Sequence, residues 1–183
     1  GIRPVRVLGR EADITGQRAV TLLNQIYSEQ EKYVILEVEV PATPAGQTRP
    51  VARVEVSYAN LQTRTTDVLS STVAVRFSDS DAEVERAMNK EVVASAVEQL
   101  AIISSKMAMK LRDEGKIEEA RKLLLSNQSF LDKNALELKS ELLRRYSEIQ
   151  KDDEKSLEGG NYPRARKKMV EEQNARASQQ KSK

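Results

Sequence analysis

Arg76-Phe77-Ser78-Asp79-Ser80-Asp81-Ala82-Glu83-Val84-Glu85 is the stretch where this chain changes its pattern. Before it, apolar residues alternate with polar ones: Val34, Leu36, Val38 and Val40 against Glu37 and Glu39, then Val51, Arg53, Val54, Glu55 and Val56. After it they recur every three or four, at Val84, Met88, Val92, Ala96, Leu100, Ile103, Met107 and Leu111. A period of two suits a sheet with one buried face, and a period near 3.6 suits an amphipathic helix. The expected fold class is α+β: a small antiparallel β-sandwich followed by an α-helical hairpin or bundle region.

Working towards the N-terminus, Lys32–Val40 is the most secure strand, aliphatic and alternating until Pro41 ends it. Pro41–Pro50, with Pro44 and Gly46, reads as a loop between paired strands, and Pro50–Tyr58 and Thr65–Phe77 as two further strands joined by a turn near Ala59–Arg64. Val5–Leu8 and Arg18–Gln25 complete a set of about five. Five strands barely close two layers, so a strand from upstream sequence is expected to complete the sandwich. The chain opens Gly1-Ile2-Arg3-Pro4 without an initiator Met and reads as an excised segment.

Towards the C-terminus, Ser80-Asp81-Ala82-Glu83 fits a capping box, a hydroxyl at the helix cap with a Glu three residues on. One helix is expected from there to about Arg112, with Met88 and Met107 filling core, broken by Asp113-Glu114-Gly115. A second is expected over about Ile117–Ser126 and a third over about Leu131–Asp152, before Glu158-Gly159-Gly160 breaks the chain again. Gly115-Lys116-Ile117-Glu118-Glu119-Ala120-Arg121-Lys122 echoes Gly160-Asn161-Tyr162-Pro163-Arg164-Ala165-Arg166-Lys167. The echo reads either as a duplicated tetratricopeptide-like hairpin or as convergent turn chemistry. From Arg164 the chain is expected to be helical only at its start, and Gln173–Lys183, rich in Gln, Ser and Lys, to be disordered. The expected divisions are residues 1–78, a sandwich accessory domain; 79–158, a helical hairpin domain; and 159–183, a polar basic tail.

Composition narrows the chemistry. The chain has 183 residues, a net charge of +2, and no cysteine or histidine. That excludes disulfides, thiolate catalysis, His-based triads and the common zinc sites. No apolar run approaches the roughly 20 residues of a membrane span, so no transmembrane segment is expected. The positive charge is concentrated at the end, where residues 161–183 carry 7 basic and 2 acidic side chains.

Four constellations invite a functional reading, and each has a structural one beside it. Asp79, Asp81, Glu83 and Glu85 could suggest a calcium loop, but no Gly permits the tight turn, and acidic residues belong at a helix N-terminus in any case. Glu37 and Glu39 share a strand face as a catalytic pair would, and as any half-solvated strand does. Arg164, Arg166, Lys167 and Lys168 could bind phosphates, yet only Tyr162 is near to stack on a base, so no nucleic-acid partner is expected. Ser70, Ser71, Lys106 and Lys110 supply Ser/Lys components without a motif, and no phosphate-binding Gly pattern occurs. The expectation is a non-enzymatic chain with no catalytic residue, metal site or cofactor.

Pro4-Val5-Arg6-Val7-Leu8-Gly9-Arg10, the run from Leu23 to Pro41 (LNQIYSEQEKYVILEVEVP) and Val75-Arg76-Phe77-Ser78-Asp79 together resemble a known neighbourhood. It is the region following the von Willebrand factor type A domain in bacterial proteins often labelled calcium-activated chloride channel homologues. The resemblance covers residues 3–112 well and the later helices loosely. It implies a β-sandwich accessory domain followed by helices, in a protein that mediates binding. In that family the adhesion-site motif, Asp-x-Ser-x-Ser, belongs to the type A domain, and Ser78-Asp79-Ser80-Asp81 does not match it, so no ligand residue carries over. The implied partners are proteins, including an upstream type A domain of the same chain. Oligomerisation through the long first helix and polyanion binding by the tail stand as alternatives. The implied location leans towards export or the cell envelope.

Overall fold

In the computed structural model, which describes residues 1–158 and 160–182, the chain is α+β with its strands in small sheets of two. β1 (Arg3–Leu8) pairs with β5 (Ile35–Glu39); β2 (Asp13–Thr15) pairs antiparallel with β3 (Arg18–Val20); and β4 (Gln30–Lys32) pairs antiparallel with β8 (Gln180–Ser182). The longest ladder is the antiparallel hairpin of β6 (Thr48–Asn60) and β7 (Thr65–Arg76), in register from Thr48↔Arg76 to Asn60↔Thr65 apart from one irregularity between Pro50 and Ala52. Five helices follow: α1 (Asp81–Ala87), α2 (Lys90–Asp113), α3 (Ile117–Leu138), α4 (Glu141–Lys155) and α5 (Tyr162–Ala177).

The chain forms two compact units that interleave in sequence. Unit 1 holds residues 1–3 and 38–88, and unit 2 holds residues 4–37 and 89–183. Unit 1 therefore contains the β6–β7 hairpin and the short α1, and unit 2 contains the helices α2 to α5 with the β2–β3 and β4–β8 ladders.

Ser80 caps α1 as the sequence reads, but the reciprocal half of the capping box does not form. Ser80 Oγ accepts the Glu83 backbone N–H at 3.4 Å, while the Glu83 carboxylate reaches back to the Ser78 hydroxyl instead of to the cap's own N–H. The expected continuous helix is nevertheless interrupted. Met88 is extended at ψ 127°, and the Asn89 carboxamide restarts a helix by accepting the Val92 N–H at 3.2 Å. An Asn competes well for this role because its side-chain oxygen satisfies one of the orphan donors of a helix start. The expected apolar stripe is not the buried one, even within α2 itself. Val84, Met88, Val92, Ile103 and Met107 are exposed, while Val97, Ala101, Ile102, Ser105 and Ala108 are buried. Met88 and Met107 are thus surface residues and not core filling.

The second and third helices also divide elsewhere than expected. α3 runs through Ser126–Phe130 without a break, because Asn127 turns inward to buried partners and Ser129 returns its hydroxyl to the Leu125 carbonyl. The break comes at Lys139, in the left-handed region at φ 53°, after which Ser140 caps α4. The two members of the sequence echo both begin helices, α3 at Ile117 and α5 at Tyr162.

Two apolar clusters hold unit 2. Val97, Ala101 and Ile102 of α2 meet Leu131 of α3 and Leu143 and Tyr146 of α4. Ala108 of α2 meets Ala120 and Leu124 of α3, Leu157, and Tyr162 and Met169 of α5. α2 is central because Ala101, Ser105 and Ala108 are small enough to let three helices approach it. An 18-residue window of α2 has mean hydropathy 1.3, so by length and composition α2 could cross a membrane; 44% of that window is buried inside the molecule.

The C-terminal segment is ordered where disorder was expected. α5 extends to Ala177, and Gln179, in the left-handed region at φ 51°, is buried. Its carboxamide donates to the Leu8 carbonyl and accepts from Arg10 Nε at 2.9 Å, and its backbone carbonyl accepts the Tyr33 N–H at 3.1 Å. Gly9, at φ 72°, allows this close approach: a Cβ there would lie 2.2 Å from Gln99 Oε1.

Candidate interaction surface

In the register of the β6–β7 hairpin, directly opposed residues share a face. One face carries Ala52 with Val73, Val54 with Ser71, Val56 with Leu69 and Tyr58 with Asp67; the other carries Arg53 with Thr72 and Glu55 with Ser70. The first face is apolar along most of its length and uncovered. Val54, Val56, Tyr58, Leu69, Val73 and Val75 are each between 37% and 60% exposed. Among the described residues of unit 1 not one is buried. A two-stranded hairpin is marginal in water by itself, and a soluble chain rarely leaves a continuous apolar stripe open without a use for it.

The two edges of the hairpin differ. β7 carries no charge, proline or bulge from Val68 to Val75, whereas β6 carries Pro50, the irregularity beside it, Arg53 and Glu55. Charges, prolines and bulges are what proteins use to blunt strand edges. The edge of β7 is therefore an open template for an added strand.

No family model, curated protein or solved structure matches this chain. The residues alone must carry the functional reading, and the constellations singled out in the sequence can each be placed. Glu37 and Glu39 pair across the β1–β5 ladder with Arg6 at 2.6 Å and Arg3 at 2.5 Å. The acidic run at Asp79–Glu85 caps α1, and among the described residues no three acidic side chains come together to hold a metal ion. Ser70 and Ser71 lie on β7, and Lys106 and Lys110 on α2.

The basic run of α5 is partly spent within unit 2. Arg166 bonds Asp113 at 2.9 Å, and Lys167 pairs with Glu171 at 4.0 Å. The Arg166 hydrogen bond holds the Asp113 carboxyl below its ordinary value. Tyr162 donates to the same carboxylate at 2.9 Å and is pushed up to about 12, first by burial and then by that bond. Arg176 lies 2.8 Å from Glu98 and 4.5 Å over the Tyr146 ring.

Sequence reasoning missed a buried polar seam between α2, α3, α4 and α5. Asn127 Nδ2 donates to the Ala101 carbonyl at 2.9 Å and to Gln150 Oε1 at 2.7 Å. Gln150 Nε2 donates to Asp153 at 3.3 Å, and Gln173 Nε2 donates to Ser105 Oγ at 2.9 Å. Burial raises Asp153 to about 7; Glu172 and Asp152 add to the rise, while Lys168 opposes it. The signal was present at helical spacing: Asn127, Gln150, Asp153 and Gln173 each fall where a helix turns inward. Polar residues are ordinarily assigned to the solvated face, so spacing by itself did not expose them. The seam is packed and internally bonded, a device for fixing how helices sit rather than an opening for a ligand. A shallow hollow beside Asn24, Gln25, Tyr27, Gln30 and Lys32 likewise turns its groups on itself, with Lys32 Nζ donating to the Gln25 carbonyl at 2.7 Å.

Proposed function

We propose that the chain is a non-enzymatic accessory and interaction module of a bacterial von Willebrand factor type A-domain protein. Its task is to position an upstream adhesion-type domain and to make protein–protein contacts. The observation that carries this reading is the coreless unit 1, whose hairpin leaves Val54, Val56, Tyr58, Leu69, Val73 and Val75 uncovered. Covering that stripe would remove on the order of 300 Å² of apolar surface, about 7–8 kcal/mol gross at ~25 cal/mol/Å² before ordering costs. An extended segment added along the β7 edge would also satisfy backbone groups and complete a larger sheet, the mode called β-augmentation. The family resemblance supplies the identity of the neighbour, and the open face supplies the reason for contact.

The two alternatives have less to draw on. Oligomerisation through α2 could draw on the exposed Val92, Ile103 and Met107 only, because Val97, Ala101, Ile102 and Ala108 are already spent inside unit 2. Polyanion binding by α5 would compete with the Asp113–Arg166 pair.

The test is to produce the chain alone and joined to its upstream type A domain, and to follow amide exchange in β6 and β7. Protection of the hairpin by the neighbour, lost in the Val56→Lys variant while the helices stay folded, is the expected result. Equal exchange with and without the neighbour refutes the proposal.

A further inference from the structure

We propose that the β6 edge pairs antiparallel with the β6 edge of a second copy of this chain, about a two-fold axis at Val54. This goes beyond docking of a partner on the hairpin's apolar face, because it uses a different edge and a different occupant. β6 has a hydrogen-bonded neighbour on one side only among the described residues. Its Arg53 and Glu55 are exposed, and across the hairpin they face Thr72 and Ser70, which carry no charge.

Two copies meeting in one sheet must keep like faces together, because a slip of one residue sends every side chain to the opposite face. Only registers centred on a residue satisfy this. Centred on Arg53, the edge sets Arg against Arg; centred on Glu55, it sets Glu against Glu. Centred on Val54, it sets Arg53 opposite Glu55 of the second copy twice over, one pair on each side of the axis. On the other face the same register places Ala52 opposite Val56 and Val54 opposite itself. The apolar stripe then continues across four strands.

Pro50 and the irregularity beside it lie outside this short ladder and end it. Cross-strand pairs of opposite charge stabilise a sheet and like charges destabilise it, so β6 is closed to most strands and complementary to itself. Charge complementarity therefore selects a second copy as the occupant.

The absence of cysteine from the chain makes the register directly readable. Opposed residues in an antiparallel ladder have Cα atoms ~4.5–5.5 Å apart, within disulfide reach, whereas a four-residue offset separates them by about 13 Å. Under mild oxidation V54C should cross-link by itself, and A52C only when mixed with V56C. By sedimentation equilibrium R53E should weaken self-association about tenfold, since it places Glu against Glu twice. E55R should do the same by placing Arg against Arg, and the double swap R53E/E55R should restore association. A V54C protein that stays monomeric, an A52C protein that cross-links alone as readily, or a double swap no better than R53E overturns the proposal. None of these results depends on whether a type A domain docks on the apolar face.

Discussion

Asp153 offers the most quantitative test of the helical body. It is 9% exposed on α4, accepts from Gln150 Nε2 at 3.3 Å, and burial raises it from 3.8 to about 7. A raised carboxyl is stabilising when protonated. Its contribution is fully present below the unfolded value near 4 and is lost as pH rises through the folded value near 7. A shift of about three units at ~1.4 kcal/mol per unit corresponds to about 4 kcal/mol, an upper figure because Lys168 can follow the carboxylate as it charges. Asp153→Asn keeps an acceptor for Gln150 and mimics the neutral acid, so it should match wild type near pH 4 and exceed it by about 2–4 kcal/mol at pH 8. Urea unfolding followed by the helical circular dichroism signal, at intervals from pH 4 to 8, measures both slopes. Parallel curves for the two proteins, or a wild type that gains on the variant as pH rises, refute the burial of a titrating carboxyl in the seam.

Three further outcomes follow from the same contacts. Asp113→Asn should act in a different window: the lowered carboxyl stabilises the fold above about pH 4 and loses this as pH falls, so in the same titration extended below pH 4 the variant should lack the acid limb yet keep the slope between pH 4 and 7. Gly9→Ala should cost about 2 kcal/mol or more, combining a left-handed backbone at φ 72° with a Cβ 2.2 Å from Gln99 Oε1, and thermal unfolding reads it. Asn127→Ala should cost about 1–3 kcal/mol by leaving Gln150 Oε1 without its donor and removing the second donor to the Ala101 carbonyl, whereas the half-buried Asn134→Ala, whose bond to the Phe130 carbonyl is exposed, should stay within about 0.5 kcal/mol.

Much of this architecture is legible in the residues, and the places where it is not share a cause. The alternation through Val54 and Val56 gave β6 its strand and its faces, and Ser80 with Glu83 gave α1 its start, because both signals are local. The interruption at Met88–Asn89 was hidden, since apolar spacing continues across it and only the Asn carboxamide marks the restart. The burial of Gln99, Asn127, Gln150 and Gln173 was hidden for a different reason. Whether a polar residue faces water depends on which helix lies opposite, and that partner is set by the tertiary fold. The order at Gln179 depends likewise on Leu8, Arg10 and Tyr33, all more than 140 positions away in the chain.

The division of labour between the two units follows from where burial occurs. Every buried residue belongs to unit 2, where apolar clusters supply the drive and the polar seam penalises any arrangement of α2, α3, α4 and α5 that leaves an amide unpaired. Unit 1 has the opposite character: its apolar residues lie outside and its order rests on one ladder of backbone bonds and a seven-residue helix. Backbone bonds contribute only about 1 kcal/mol each net and the hairpin lacks a core to add to them, so its amides should exchange through local opening well before those of α2 or α3. A partner that covers the stripe would slow that exchange in β6 and β7 while leaving the helices unchanged. The same polypeptide would thus combine a self-sufficient body with an arm whose rigidity is conferred by what it holds.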